Sequence, residues 1–104
     1  FRSLSAIDVD QDGLLDLFAC GYYARFGDRL GLGRPMPYHD ANNGVRNVLL
    51  RNTGSGFKDI TEEVGLNQNN QRFSYAAAWE DFDNDGDMDL YVANDFGRNN
   101  LYRN

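Results

Sequence analysis

The chain is poor in the residues that most often carry chemistry or covalent staples: among 104 residues there is one cysteine, Cys20, and one histidine, His39. A lone thiol excludes an internal disulfide. Within the apolar run Leu17-Phe18-Ala19-Cys20 it reads as a small buried residue rather than a reactive group. His39, in Pro37-Tyr38-His39-Asp40, has no catalytic partner that the sequence singles out, so it reads as an ordinary loop residue. There is no apolar stretch of membrane-spanning length and no secretory signal pattern. Basic runs are also absent. The ten Lys and Arg are scattered, which disfavours a nucleic-acid surface. The length suits one modest domain or a piece of a larger one. Both ends read as strand, at Leu4 to Ile7 and at Leu101-Tyr102, so the chain is expected to be part of a longer protein.

What the chain does have is acid, unevenly placed. The net charge is −6, from 10 Lys and Arg against 16 Asp and Glu. Nine of those sixteen acids fall in two short segments, as Asp8, Asp10, Asp12 and Asp16, and as Asp81, Asp83, Asp85, Asp87 and Asp89. Without them, 10 basic residues face 7 acidic ones. Two bound divalent ions would bring the chain from −6 to −2. The acidity belongs to the two segments, and it argues for metal rather than for a disordered acidic tail.

The two segments are one pattern written twice. Asp8-Val9-Asp10-Gln11-Asp12-Gly13-Leu14-Leu15-Asp16-Leu17 returns 73 residues later as Asp81-Phe82-Asp83-Asn84-Asp85-Gly86-Asp87-Met88-Asp89-Leu90. Carboxylates at positions 1, 3, 5 and 9, with Gly at position 6, suit a hard cation that needs several oxygens around one point above a sharp bend. Without an ion, each close carboxylate pair repels by roughly 1 kcal/mol even in water. Calcium fits best, since it takes many oxygen ligands in flexible geometry. A solvated turn held by Asx hydrogen bonds is the alternative, but such a turn does not require four carboxylates in a fixed pattern. An EF-hand is excluded: its Glu at position 12 is replaced by Ala19 and Val92, both within strands.

The repeat extends past the loops. Each loop is followed by a short apolar run, Leu17 to Cys20 and Leu90 to Ala93, expected to be a strand buried on both faces. Leu4-Ser5-Ala6-Ile7 and Tyr75-Ala76-Ala77-Ala78-Trp79 precede the loops. The alanine run has helical propensity, but its partner segment has no helical period, so a strand allowing close sheet packing is expected. Trp79 and Phe82 are expected in the core. Asn47-Val48-Leu49-Leu50-Arg51-Asn52 matches Asn99-Asn100-Leu101-Tyr102-Arg103-Asn104 at an offset of 52 rather than 73, which places an insertion of 21 residues between Gly21 and Arg46. Thr53-Gly54-Ser55-Gly56 reads as a turn and Phe57-Lys58-Asp59-Ile60 as an outer strand. Thr61 to Leu66 reads as a short turn and Asn67 to Gln71 as a polar linker. The unit is thus strand, acidic loop, strand, strand, tight turn, strand, which describes a four-stranded propeller blade.

In these motifs the chain resembles the FG-GAP/VCBS repeat family of integrin-alpha-like propellers and exported bacterial proteins of the ASPIC/UnbV type. The resemblance rests on Asp-x-Asp-x-Asp-Gly-x-x-Asp-Leu at Asp8 to Leu17 and at Asp81 to Leu90. It is joined by Leu-Tyr-Arg-Asn at Leu101 to Asn104 and by Gly56-Phe57-Lys58-Asp59-Ile60-Thr61 with Val64-Gly65-Leu66. It implies an all-β fold of antiparallel four-stranded propeller blades, about one and a half blades of a larger β-propeller. Residues 1–66 would form the first blade, with an inserted loop at 21–46, and residues 67–104 the start of the second. It also implies two structural Ca2+ ions. Asp8, Asp10, Asp12 and Asp16 would hold the first with the carbonyl of Leu14, and Asp81, Asp83, Asp85 and Asp89 the second with the carbonyl of Asp87.

The function expected on that basis is a non-catalytic, calcium-binding module outside the cell, at its surface or in the periplasm, supporting adhesion to a protein or glycan. No nucleic acid and no membrane insertion are expected. Further blades would come from the parent chain or an oligomer, because a chain this short cannot close a ring. An accessory or catalytic part of a secreted carbohydrate-active enzyme of polysaccharide lyase type is the alternative, and a cleft containing His39, Arg46 or Tyr38 in a convergent arrangement would support it. Tyr22, Tyr23, Phe26 and Tyr38, with Arg25, Arg29 and Arg34, give the insertion an aromatic and basic character typical of recognition surfaces, and packing onto neighbouring blades is the reading expected over recognition. The triplet Asp95-Phe96-Gly97 lacks every accompanying kinase motif and is accidental.

Overall fold

Short β-branched and aromatic runs separated by Gly, Asn and Asp turns produce seven strands in the computed structural model, which describes residues 1–22 and 35–104. They are β1 (Ser3–Ile7), β2 (Asp16–Cys20), β3 (Val48–Asn52), β4 (Phe57–Asp59), β5 (Phe73–Glu80), β6 (Asp89–Asp95) and β7 (Asn100–Tyr102). Two antiparallel sheets result, ordered β1-β2-β3-β4 and β5-β6-β7. The chain is therefore all-β, with one complete four-stranded blade and three strands of a second. The alanine run lies in β5 as strand, with a register shift between Ser74 and Ala76.

The repeat is preserved in the pairing. Ile7 opposes Asp16 and Glu80 opposes Asp89, so each acidic segment is the connection of a hairpin. Leu17 opposes Leu50 in the first sheet, and the equivalent Leu90 opposes Tyr102 in the second. The turn between β3 and β4 closes with the Thr53 N–H donating to the Gly56 carbonyl at 2.9 Å, and Gly54 takes a positive φ of 80° there.

The core lies between the sheets. Phe18, Cys20, Leu49, Ile60, Leu66, Leu90 and Val92 are buried together, with Val9, Ala77, Trp79 and Tyr102 packed against them. The Phe18 and Trp79 rings meet edge to face at 6.0 Å, and the Trp79 indole N–H donates to Ser5 Oγ at 3.1 Å. Each buried aromatic or aliphatic side chain of this kind contributes about 1.5–3 kcal/mol through removal from water. Burial pushes the Cys20 thiol up, against a smaller opposing effect of a hydrogen bond with Ser3, which keeps it protonated and unreactive.

Two expectations about burial are corrected. Phe82 is 52% exposed, because it stands at position 2 of the acidic loop and not on a strand face. β6 is not buried on both faces: Tyr91 points outward and is exposed while Leu90 and Val92 point in, the two-residue alternation of a sheet with one covered face.

The described flanks of the insertion dock on the second sheet. The Ala41 N–H donates to the Phe96 carbonyl at 2.7 Å, the Ser74 N–H to Gly21 at 3.0 Å, and the Gly44 N–H to Gln71 at 2.8 Å. Tyr22 packs edge to face on Phe73, and Tyr38 lies against Phe96. Buried Arg72 pairs with Asp40. The expectations for Tyr23, Arg25, Phe26, Arg29 and Arg34 lie outside the described residues.

Candidate metal centre

Each acidic loop runs from the end of one strand to the start of the next, and its own carboxylates shape it. In the first loop Asp8 at position 1 accepts the N–H groups of Asp12 (3.0 Å) and Gly13 (2.8 Å). In the second, Asp81 accepts those of Asp85 (3.1 Å) and Gly86 (2.9 Å). These bonds close the turn over its fifth and sixth residues. Gly13 and Gly86 take φ of 90° and 96°, and Gln11 and Asn84 at position 4 take 59° and 60°. A left-handed residue at both positions bends the backbone around the centre of the loop.

The position-9 carboxylates are deeply buried, Asp16 at 0% and Asp89 at 2% exposure. Asp16 accepts the Val9 N–H at 3.0 Å and the Asn52 N–H at 2.7 Å, joining the loop to β3. Asp89 accepts the Phe82 N–H at 2.9 Å and the Asn104 N–H at 2.8 Å in the same way. A buried carboxylate is tolerated because it is hydrogen-bonded on both oxygens and sits at the rim of a site suited to positive charge.

Three carboxylates converge in each loop. One oxygen from each of Asp8, Asp10 and Asp16 lies within 4.8 Å of the others, and Asp81, Asp83 and Asp89 repeat the arrangement. An all-oxygen donor set of this spacing fits a hard divalent ion such as calcium. The Asp83 carboxyl is held above the ordinary carboxylate range, first by desolvation and then by the nearby charge of Asp85. Crowding of this kind is what a bound cation relieves. Asp12 and Asp85 stand beside these triads rather than in them: their side chains accept the N–H groups of Leu14 (2.9 Å) and Asp87 (3.0 Å). Leu14 and Asp87 occupy position 7 of the bend, and the Asp87 carboxylate is turned away to accept the side-chain amide of Gln11 at 3.0 Å.

Arginines cap both loops. Arg51 Nε lies 2.8 Å from Asp10 Oδ2 and its Nη2 3.6 Å from Asp12 Oδ2, while Arg103 Nε lies 2.9 Å from Asp83 Oδ2. Asn52 and Asn104 complete the set, donating side-chain N–H to Leu15 and Met88 carbonyls at 3.2 and 3.3 Å. The repeated Arg-Asn pair was visible as a sequence match, but its role in gripping the loops shows only when β3 and β7 are placed beside them.

Tyr38, His39 and Arg46 are placed differently. Tyr38 and His39 are exposed, and Arg46 pairs with Asp59 at 2.5 Å beside Glu62 and Asn67. Among the described residues no helix is long and apolar enough to cross a membrane.

Residues 8–92 match the FG-GAP-like repeat family. No curated protein and no solved structure matches the chain. The matched span takes in both acidic loops, the whole of β2 to β5 and the first part of β6. By its matched span, its duplicated loop and its blade topology, the chain belongs to the FG-GAP-like repeat family.

Proposed function

We propose that the chain is a non-catalytic β-propeller module in which two structural calcium ions rigidify the acidic loops, and that it supports binding to an extracellular protein or glycan. The observation that carries the reading is the convergence of three carboxylates in each loop within 4.8 Å, two of them fixed by backbone N–H groups. Asp8, Asp10 and Asp16, and Asp81, Asp83 and Asp89, are the carboxylate ligands of this reading. Asp12, Asp85 and the carbonyls of Leu14 and Asp87 complete the shells. The ion supplies charge neutralisation and no chemistry on a substrate.

The family is generally structural, which supports a scaffold role over catalysis. Such repeats are typical of extracellular or exported proteins. There calcium is abundant enough to fill loops of modest affinity, which supports a place outside the cell, at its surface or in the periplasm. β7 is the edge of the second sheet, at the position where β3 in the first sheet is flanked by β4. A fourth strand in that place, with further blades beyond it, from a longer chain or an oligomer, would cover that edge.

Calorimetric titration of the folded chain tests the reading, with two equivalents of calcium expected. At a hundredfold excess over Kd each ion stabilises by about 2.7 kcal/mol, a Tm rise on the order of 10 °C or more over the chelator-treated chain. A well-folded chain that takes up no calcium overturns it.

A further inference from the structure

The two acidic loops touch each other. Gln11, at position 4 of the first loop, donates from Nε2 to the Gly86 carbonyl at 3.2 Å and to Asp87 Oδ1 at 3.0 Å in the second. Asn104 links them again, donating from Nδ2 to the Val9 carbonyl of the first loop at 3.4 Å and to the Met88 carbonyl of the second at 3.3 Å. The equivalent Asn52 donates from Nδ2 within its own loop, to Leu15, and its Oδ1 accepts the Gly54 N–H in the following turn. The links therefore belong to the junction of the two blades and not to the repeat unit.

We propose that the two loops form a thermodynamically coupled pair of ion sites, with Gln11 as the positioning residue that carries the coupling. The inference rests on the calcium reading above. Gln11 holds a left-handed φ of 59° between Asp10 and Asp12, so filling the first loop fixes its backbone and with it the direction of its side chain. That side chain grips the Gly86 carbonyl and the Asp87 carboxylate, and so holds the residue whose own position-7 carbonyl faces the second ion in the reading above. Order imposed on one loop lowers the entropy that must be lost to fill the other. Because linkage is reciprocal, each ion improves the affinity of the other by the same factor, about fivefold or more for couplings of ordinary size.

The test is a comparison of calcium affinity at the second loop with the first loop intact or disabled by Asp10→Asn. Asp10 is chosen because, among the described residues, its carboxylate pairs with the Arg51 guanidinium and holds no backbone N–H of the turn. The Gly86 amide resonance reports the second loop, and far-UV circular dichroism confirms folding. The coupling is then removed with Gln11→Asn, which puts at position 4 the residue that the second loop itself uses, Asn84, and so preserves the left-handed turn. The expected result is a loss of about fivefold in second-loop affinity on Asp10→Asn in the parent chain, and no such loss in the Gln11→Asn background. Second-loop affinity that ignores the first loop in the parent chain overturns the coupling while leaving calcium binding intact. Equal losses in both backgrounds overturn the role of Gln11. Uptake of calcium by neither loop overturns the calcium reading itself, and the coupling with it.

Discussion

Arg51 and Arg103 stand 52 residues apart at the same place in two repeats, and each lays its Nε within 2.9 Å of the position-3 carboxylate of its own loop. A fixed cation thus already shares the carboxylate that a metal ion would use. It lowers repulsion in the empty loop and competes with the ion in the filled one.

Replacing Arg51 with Met keeps the aliphatic packing and removes that charge. The variant is expected to be less stable in chelator but to bind calcium at the first loop several-fold more tightly at low ionic strength. The loss of ion–guanidinium repulsion at a few ångströms is on the order of 1 kcal/mol. Titrations at low and high salt check it, and the advantage should shrink as salt rises.

Position-3 and position-9 carboxylates should respond differently to substitution. Asp10→Ala or Asp83→Ala is expected to lower Tm in calcium and to have little or opposite effect in chelator, since each removes an ion ligand without freeing a buried backbone donor. Thermal melts in both conditions decide it. Equal losses in both would mean that the loops serve only as turns.

Asp16→Ala and Asp89→Ala, by contrast, strand two backbone donors each, Val9 and Asn52 in one loop and Phe82 and Asn104 in the other. A loss of about 1–3 kcal/mol is expected with or without calcium, because each substitution leaves two part-buried backbone donors without their carboxylate partner. Urea unfolding in chelator measures it directly.

Acid should weaken the first blade through Asp59. The Arg46 guanidinium, followed by the hydroxyl and N–H of Thr61, lowers its carboxyl from 3.8 to about 2. A folded-state value below the unfolded one stabilises at pH above about 3.8, and that contribution disappears as pH falls through about 2. The pair is well exposed, at 48% and 39%, so less than about 1 kcal/mol is expected. Asp59→Asn should flatten that limb of a stability-against-pH curve in chelator.

Packing across the blade junction has its own signature. Phe18→Ala removes the edge-to-face partner of Trp79 and leaves a cavity between the sheets, for an expected loss of about 3–5 kcal/mol. Trp79 fluorescence should shift to the red as the indole gains water, a change that a loop variant such as Asp10→Ala should not produce.

Much of this architecture was legible in the residues alone. The duplicated acidic segment, the 73- and 52-residue offsets and the strand order all follow from local patterns: alternation for strands, glycine at the bend, carboxylates at fixed spacing. The hydrogen bonds that close each loop are local too, spanning two to seven residues, so spacing by itself determined them. Tertiary structure decided which carboxylates meet, since Asp16 reaches its place only when β3 supplies the Asn52 N–H. It also decided that Phe82 faces water, and that Gln11 and Asn104 tie one loop to the other across more than seventy residues. Such contacts depend on how two twisted sheets lie against each other, a property of the packed side chains between them that no periodicity in either sheet encodes.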